Sequence, residues 1–281
     1  MKSNFVVFAE PRTGSGVLTS VLNKQKDIWC SKELFMQEGM KVKLIDPLAM
    51  QKSVNIDNLL KFLSDNPDMW TTIRDKNFKE YLKIFSDCVD KKIFGYKFFE
   101  KHFRSFLHRK YYLDFLKEND TKIIVLTRNN TLLQYISLRT ARSLHQYGTQ
   151  PNMLNKDKLI TLYQLNPIHV DYKQYRKYRK ELKQINQQKE LDAMAWGLPA
   201  IHIKYEQFTG EQYNECFANI FSFLNLDFKD FVDVRKDSNT IAGHKKINIY
   251  KIEDKISNFT EFKQAAEENS DTETLQFLIT Q

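Results

Sequence analysis

The N-terminal segment Asn4–Leu18 constrains the fold most, because an apolar, β-favouring run leads directly into a turn of small residues. The run Asn4–Ala9 predicts a strand and Val17–Gln25 predicts an amphipathic helix, with Gly14 and Gly16 between them. In a strand–loop–helix unit, loop N–H groups and the positive end of the helix converge on an anion. The segment therefore predicts an anion-binding loop. A plain strand-to-helix turn, in which glycine permits tight packing, accounts for the loop alone equally well.

The loop differs from the phosphate loop of nucleoside-triphosphatases. That loop has the pattern G-x-x-x-x-G-K-[ST], in which the lysine reaches the β/γ-phosphates and the hydroxyl binds magnesium. Here Glu10 stands in place of the first glycine, no Gly-Lys-Ser/Thr follows, and the cation in the loop is Arg12. We interpret the loop as a related cradle adapted to a different nucleotide.

Composition indicates one packed globular domain over residues 1–281. Of the 281 residues, 42% are hydrophobic, only 8 are Gly and 6 are Pro, and no Pro/Gly/Ser-rich linker divides the chain. Three scattered cysteines without a C-x-x-C pattern argue against a disulfide framework and a structural zinc site. No signal peptide and no apolar run long enough for a membrane span is evident. We therefore expect a cytoplasmic protein.

The net charge of +8 is compatible with a nucleic acid, a membrane surface or a polyanionic small molecule as partner. The densest basic run is YKQYRKYRK at 172–180. This run indicates either an RNA-binding surface or, as we favour, the solvated face of a long helix.

Strand patterns alternate with helix patterns along the chain, which predicts an α/β fold with a central parallel sheet flanked by helices. The predicted strands are 4–9, 27–30, 92–99, 122–127 and 200–204. The predicted helices are 17–25, 56–65, 79–90, 102–117, 131–146, 170–196, 212–224 and 258–268. The segment at about 46–90 falls outside the sheet pattern, and we interpret it as a helical insertion, either a lid or part of the acceptor side of the predicted site.

A second candidate anchor follows the fourth predicted strand. Arg128 stands at the end of that strand, and Ser137 lies nine residues later within the next helix. An arginine fork and a hydroxyl suit a phosphate, because the guanidinium matches phosphate oxygens in a bidentate way. A surface salt bridge for Arg128 and a helix serine bonded to a backbone carbonyl for Ser137 remain the alternatives. Ligands of parallel sheets bind beyond the carboxyl ends of the strands, so Arg12 and Arg128 are expected on one rim.

Two segments together resemble a known family. The sequence PRTGSGVL after the first strand and IIVLTRNNTLLQYISL around Arg128 resemble the two cofactor signatures of sulfotransferases, most closely the bacterial carbohydrate-type members. Weaker similarities at 22–35, 94–97, 201–208, 220–226 and 245–259 fall in the same order as in that family. The resemblance implies a P-loop NTPase-like sulfotransferase fold. It also implies 3′-phosphoadenosine 5′-phosphosulfate (PAPS, product PAP) as cofactor and no metal.

The resemblance also implies roles for individual residues. Arg12 is expected to neutralise the bridging oxygen between sulfur and the 5′-phosphate, and Glu33 to take the proton of the acceptor hydroxyl. His102 and His108 are the alternative bases, and Glu33 alternatively orients substrate or merely starts a surface helix. The residues expected to bind the cofactor are Arg12, Thr13, Gly14, Ser15, Gly16, Arg128, Ser137 and one or both of Lys245 and Lys246.

The function expected from these features is transfer of a sulfuryl group from PAPS to a hydroxyl of a carbohydrate, a glycolipid or a small metabolite. Two alternatives stay open, a P-loop nucleotide kinase-like phosphotransferase and a non-enzymatic basic nucleic-acid-binding protein. The resemblance implies no nucleic-acid partner. The sequence does not indicate the acceptor or the oligomeric state.

Overall fold

The structure is a computed structural model. It describes residues 3–33, 79, 82–83, 86–87, 89–105, 109–146, 167–237, 240–241, 244–245 and 251–279.

The centre of the molecule is a five-stranded sheet in the order β2-β3-β1-β4-β5. Every neighbouring pair in this sheet is parallel. The strands are β1 (Ser3–Ala9), β2 (Ile28–Glu33), β3 (Ile93–Phe99), β4 (Lys122–Thr127) and β5 (Ala200–Lys204). The predicted α/β class with a central parallel sheet is therefore confirmed.

Helices follow the strands and cover the sheet. They are α1 (Ser15–Asn23), α2 (Glu100–Ser105), α3 (Arg109–Glu118), α4 (Thr131–Gln146), α5 (Tyr172–Ala195), α6 (Tyr205–Thr209), α7 (Tyr213–Phe223), α8 (Phe259–Glu268) and α9 (Thr272–Ile279). Three short strands, β6 (Arg235–Asp237), β7 (Thr240–Ile241) and β8 (His244–Lys245), form a separate antiparallel sheet.

The central strands are buried on both faces, which explains their uninterrupted apolar sequences. Phe5, Val7 and Ala9 of β1 belong to a core cluster with Leu18 of α1 and Phe217 of α7. The residues that alternate with them in β1 turn to the opposite face, where the Phe8 ring lies 5.5 Å from Phe98 and 6.4 Å from Tyr112 of α3. A strand covered on both faces reads as a continuous apolar run.

A second hydrophobic cluster packs together helices that follow Arg128 in the chain. It joins α4, α5 and α8 through Leu132, Tyr135, Tyr175 and Phe262. The hydroxyl groups of Thr131 and Tyr175 lie 2.9 Å apart and hydrogen-bond, which ties the start of α4 to α5. The position of α4 is thus set by α5 rather than by the sheet alone.

Several predicted boundaries shift. The second strand extends beyond Cys30 to Glu33, because its backbone keeps pairing with β3 through a bulge between Ser31 and Glu33. The predicted helix 102–117 corresponds to two helices, α2 and α3. Helix α9 and the small β6–β8 sheet were absent from the prediction. The predicted helix 56–65 lies outside the described residues, as does most of the predicted insertion 46–90.

The basic run of the sequence lies on α5, as the helix-face interpretation required. Lys173, Arg176, Lys177 and Lys180 are exposed there, whereas Arg179 pairs with Asp271 of the segment before α9 at 2.8 Å. Within the described ranges, no helix is both long enough and apolar enough to cross a bilayer. Cys30 and Cys216 are buried free thiols, and Cys88 lies outside the described residues.

Candidate functional site

The turn between β1 and α1 is a cradle of backbone N–H groups. Arg12 and Gly14 both have positive φ, 67° and 82°, and Gly14 is the N-cap of α1. The Gly14 carbonyl accepts hydrogen bonds from the N–H groups of Val17 and Leu18. Among the described residues, none accepts a backbone hydrogen bond from the N–H groups of Gly14, Ser15 and Gly16. Such free N–H groups at the positive end of a helix form an anion-binding site.

The two glycines of the cradle have different surroundings. A Cβ atom at Gly14 would lie 2.3 Å from Cδ2 of Tyr205, whereas a Cβ at Gly16 would meet nothing within 4 Å. The left-handed conformation at Gly14 also disfavours any other residue. Gly14 is therefore needed both for the turn and for its close approach to the Tyr205 ring at the start of α6.

The Thr13 hydroxyl is engaged within the turn. The Thr13 hydroxyl donates to the Glu10 carbonyl at 2.8 Å, and the Thr13 N–H reaches the same oxygen at 3.3 Å. Thr13 thus closes the turn and is only 1% exposed. Ser15 is buried at the first position of α1.

The two sequence signatures meet in space. Nε of Arg12 donates to Oγ of Ser137 at 2.8 Å, across 125 positions of sequence. Nη1 of Arg128 donates to the Arg12 carbonyl at 3.3 Å, and the Gln134 amide donates to the Pro11 carbonyl at 2.9 Å. The β1–α1 turn and the start of α4 therefore form one site at the carboxyl edge of the sheet.

Arg128 is a buried cation with unused hydrogen-bonding capacity. It is 8% exposed, and its Nε atom has no partner among the described residues. Burial lowers the pKa of its guanidinium, and the charge of Arg12 lowers it further. A buried guanidinium N–H without an acceptor is costly unless an anion supplies one. This combination favours an anionic ligand beside Arg128.

Tyr205 contacts both the β1–α1 turn and Arg128, and Glu206 contacts the backbone just after Arg128. The guanidinium of Arg128 lies 4.4 Å from the centre of the Tyr205 ring, the same ring that packs against Gly14. The Glu206 carboxylate accepts the N–H groups of Asn129 and Asn130 at 3.1 and 3.3 Å. The corner between β5 and α6 thus positions the loop and the Arg128 segment together.

Lys255 joins the site from the C-terminal part of the chain, and sequence reasoning missed it. It is half-buried, and its backbone carbonyl accepts the N–H of Ile168 at 2.9 Å. Burial lowers its pKa to about 8, with the nearby charge of Arg128 contributing and Asp254 opposing. No local pattern in the sequence distinguishes Lys255 from its many lysine neighbours, because only the fold brings it near Arg128.

The structure gives only partial information on the remaining predicted site residues, Lys245, Lys246 and Glu33. Lys245 lies in β8, where its backbone pairs with Thr240, and Lys246 lies outside the described residues. Glu33 is the last residue of β2, and its backbone pairs with Lys97 of β3. Because β2 is parallel to β1 and β4, Glu33 stands at the same edge of the sheet as Arg12 and Arg128.

The alternative base His102 is fully buried and uncharged. It is 0% exposed, and its Nδ1 accepts the N–H of Phe99 at 3.1 Å. Burial lowers its pKa to about 3, with Lys101 and Lys97 contributing. The Nδ1 atom of His102 is thus engaged by the backbone where β3 passes into α2. His108 lies outside the described residues.

No metal-binding group of three or more His, Cys, Asp or Glu side chains occurs among the residues that the structure describes.

Comparison with known proteins gives a distant structural likeness and no sequence match. No family model matches the chain, and no curated protein matches it. Among solved structures, it is similar to the crystal structure of mouse sulfotransferase SULT7A1 complexed with PAP. The identity is 12% and the TM-score 0.39, over 98% of this chain and 88% of that chain.

The difference between the two glycines gives a paired test of the cradle. Gly14→Ala should destabilise the protein by at least ~1–2 kcal/mol, since a left-handed alanine is strained even before the contact with Tyr205. Gly16→Ala should be neutral or stabilising by up to ~1 kcal/mol, because alanine favours a helix more than glycine does. Urea denaturation of both variants measures the difference. Equal effects of the two substitutions would contradict the packing of Gly14 against Tyr205.

Proposed function

We propose that the protein is a sulfotransferase that transfers a sulfuryl group from PAPS to a hydroxyl group of a carbohydrate, a glycolipid or a small metabolite. The observation that carries the proposal is the contact between the two signatures, Arg12 Nε to Ser137 Oγ at 2.8 Å. Two phosphate-type anchors in one site suit a nucleotide with two separate phosphate groups.

The residues of the site fit such a nucleotide. The N–H groups of Gly14, Ser15 and Gly16 would bind its 5′-phosphate, with the Arg12 side chain beside them. Arg128 and Ser137 would bind the 3′-phosphate, and Lys255 adds a third cation near Arg128. The unpartnered Nε of Arg128 and the unpartnered N–H groups of the cradle are the donors that such a ligand requires.

Bound PAPS supplies an activated sulfuryl group whose leaving group is a phosphate. Arg12 would stabilise the negative charge that develops on the leaving oxygen, as a preorganised cation does in a site shielded from water. Positioning and electrostatic stabilisation are the main requirements of such in-line transfers. The cations of the chain itself provide both.

The acceptor hydroxyl needs a group that takes its proton, and we assign that role to Glu33. Its place at the end of β2 is on the edge of the sheet where Arg12 and Arg128 also lie. A carboxylate within hydrogen-bond reach of the hydroxyl can accept the proton as the attack proceeds. His102 is a poor competitor, because it is buried and its pKa is about 3.

Ligand-dependent stability tests the class of nucleotide. PAP should raise the stability of the protein by about 2.7 kcal/mol at a concentration one hundred times its dissociation constant. ATP with magnesium and a mixed-sequence oligonucleotide serve as comparison ligands in the same thermal unfolding assay. Stabilisation by ATP with magnesium but not by PAP would favour a kinase, and strongly salt-dependent stabilisation by the oligonucleotide alone would favour nucleic-acid binding.

The proposed contact between Arg128 and the 3′-phosphate is tested by comparing ligands with and without that phosphate. Arg128→Ala should weaken PAP binding at least tenfold, but should weaken adenosine 5′-phosphosulfate, which has no 3′-phosphate, much less. Calorimetric titration measures both affinities. Arg235→Ala is the matched control, because Arg235 also stacks on a tyrosine ring, Tyr213 at 4.1 Å, but pairs with Asp233 at the surface. Equal losses for both ligands would remove Arg128 from the 3′-phosphate site.

The base is tested by a substitution that keeps the shape of the side chain. Glu33→Gln should leave PAP binding unchanged and lower turnover by about 10²–10⁴, the usual contribution of a positioned base. A screen of hydroxyl acceptors with labelled PAPS provides the turnover assay. Turnover close to that of the unmodified protein would assign the proton to another residue.

Because the pKa of Lys255 is lowered, both folding stability and PAP binding should depend on pH. In the folded protein Lys255 loses its proton near pH 8, whereas in the unfolded chain it stays charged to about pH 10.5. Folding stability should therefore rise with pH between these values. A bound phosphate dianion would raise the pKa again, so PAP binding at pH 8.5 should take up a proton.

Proton uptake is measured by calorimetric titration in buffers of different ionisation enthalpy. Lys255→Met should abolish the uptake and weaken binding most below pH 8, where Lys255 is charged. Uptake that is unchanged in Lys255→Met would show that another group is responsible.

A further inference from the structure

A cluster of five charged side chains, four of them buried, lies next to the Arg12 turn, and the proposed chemistry does not use it. The cluster consists of Glu10, Glu100, Arg109, Lys189 and Asp192. Lys189 is 2% exposed, Asp192 3%, Glu100 8% and Glu10 9%. Charged side chains are rarely buried to this extent unless they are paired.

The sheet places the first two carboxylates side by side. Ala9 of β1 pairs with Phe99 of β3, so Glu10 and Glu100 leave the carboxyl ends of neighbouring strands together. One carboxylate oxygen of Glu10, Oε1, accepts the Glu100 N–H at 3.2 Å and lies 2.8 Å from Nζ of Lys189. Arg109 bridges the carboxylates of Glu100 and Asp192.

Lys189 reaches this cluster from α5. Tyr175, Leu182 and Lys189 are buried and seven residues apart, so they lie on one face of that helix. Tyr175 contacts Thr131 at the start of α4, and Lys189 contacts Glu10 at the start of the β1–α1 turn. One helix thus touches both segments that form the candidate site.

Glu10 links the ion pair to the turn. Its carbonyl accepts both the N–H and the hydroxyl of Thr13, which closes the turn that contains Arg12. Its carboxylate is fixed by Lys189 and by the Glu100 N–H. A buried ion pair contributes little net stability, because desolvation offsets the attraction, but the loss of one partner leaves the other charge buried and uncompensated. Burial lowers the pKa of Lys189, while the charge of Glu10 opposes that shift.

We propose that Lys189 is a positioning residue that acts through Glu10 to hold the β1–α1 turn in the conformation that binds phosphate. The helix on which Lys189 lies also supports the Arg128 segment, so the pair sets the turn relative to that segment. The inference deepens the proposed function, because it concerns the same site. The held conformation of the turn does not depend on which phosphate ligand the site binds.

The experiment compares a buried ion pair with a partly buried one on the same helix. Lys189→Met removes the cation next to Glu10, and Arg179→Met removes the cation that pairs with Asp271, away from the turn. Glu10→Gln is the second test variant, since it keeps the shape of Glu10 if Lys189→Met fails to fold. Amide hydrogen exchange of the peptide containing residues 12–18 is measured without ligand, and PAP affinity is measured by calorimetric titration.

The expected result is faster exchange of that peptide, by at least tenfold, and at least tenfold weaker PAP binding in Lys189→Met and Glu10→Gln. Arg179→Met should lower the melting temperature but leave the exchange of the peptide and the PAP affinity within twofold of the unmodified protein. Exchange in Lys189→Met or Glu10→Gln that matches that of Arg179→Met would overturn the inference.

The two proposals fail in distinguishable ways. If the unmodified protein does not bind PAP, the proposed function is wrong, and the exchange of the peptide alone decides the role of Lys189. If the unmodified protein binds PAP and both test variants bind it equally well, the proposed function stands and the inference is overturned.

Discussion

The site depends on an excess of positive charge in a partly buried place. Arg12, Arg128 and the amino end of α1 converge at the carboxyl edge of the sheet. Burial lowers the pKa of the nearby Lys255 to about 8, and the charge of Arg128 contributes to that shift. The negative charge of Glu206 offsets part of this positive charge, but its carboxylate is already hydrogen-bonded to the backbone N–H groups of Asn129 and Asn130. Positive groups held together in this way are stabilised by an anion.

The fold and the chemistry are connected through strand ends. Parallel pairing brings the carboxyl ends of β1, β3 and β4 to one edge, so that residues far apart in sequence become neighbours there. Glu10 and Arg12 follow β1, Glu100 follows β3 and Arg128 follows β4. The carboxylates of Glu10 and Glu100 are paired with Lys189 and Arg109, whereas Arg128 keeps an unpartnered N–H. Glu10 and Glu100 thus already have cationic partners, whereas the Nε atom of Arg128 still lacks an acceptor among the described residues.

The sequence was informative where local pattern decides the outcome. The apolar runs of β1 and β4 predicted central strands, because strands covered by helices on both faces are apolar throughout. The glycines of the first turn predicted an anion-binding loop. In the structure, α1 begins directly after this turn, and Gly14 adopts the left-handed conformation that the turn requires. The assignment of particular residues to cofactor and catalysis stays a prediction.

Long-range contacts could not be read from the sequence. The approach of Tyr205 to Gly14, the ion pair between Lys189 and Glu10, and the proximity of Lys255 to Arg128 each join segments more than one hundred positions apart. Thr13 shows the same effect on a smaller scale, since its hydroxyl suits a phosphate but is used to close the turn. Side-chain direction depends on packing that a linear pattern does not specify.

Helix α5 has a consequence for mechanical coupling within the molecule. It is 24 residues long, about 36 Å at the usual helical rise, and it contacts α4 near one end and Glu10 near the other. Because both contacts are made by the same helix, a tilt of α5 would displace the start of α4 and the β1–α1 turn together. The two segments that form the site are therefore coupled through the packing of one helix.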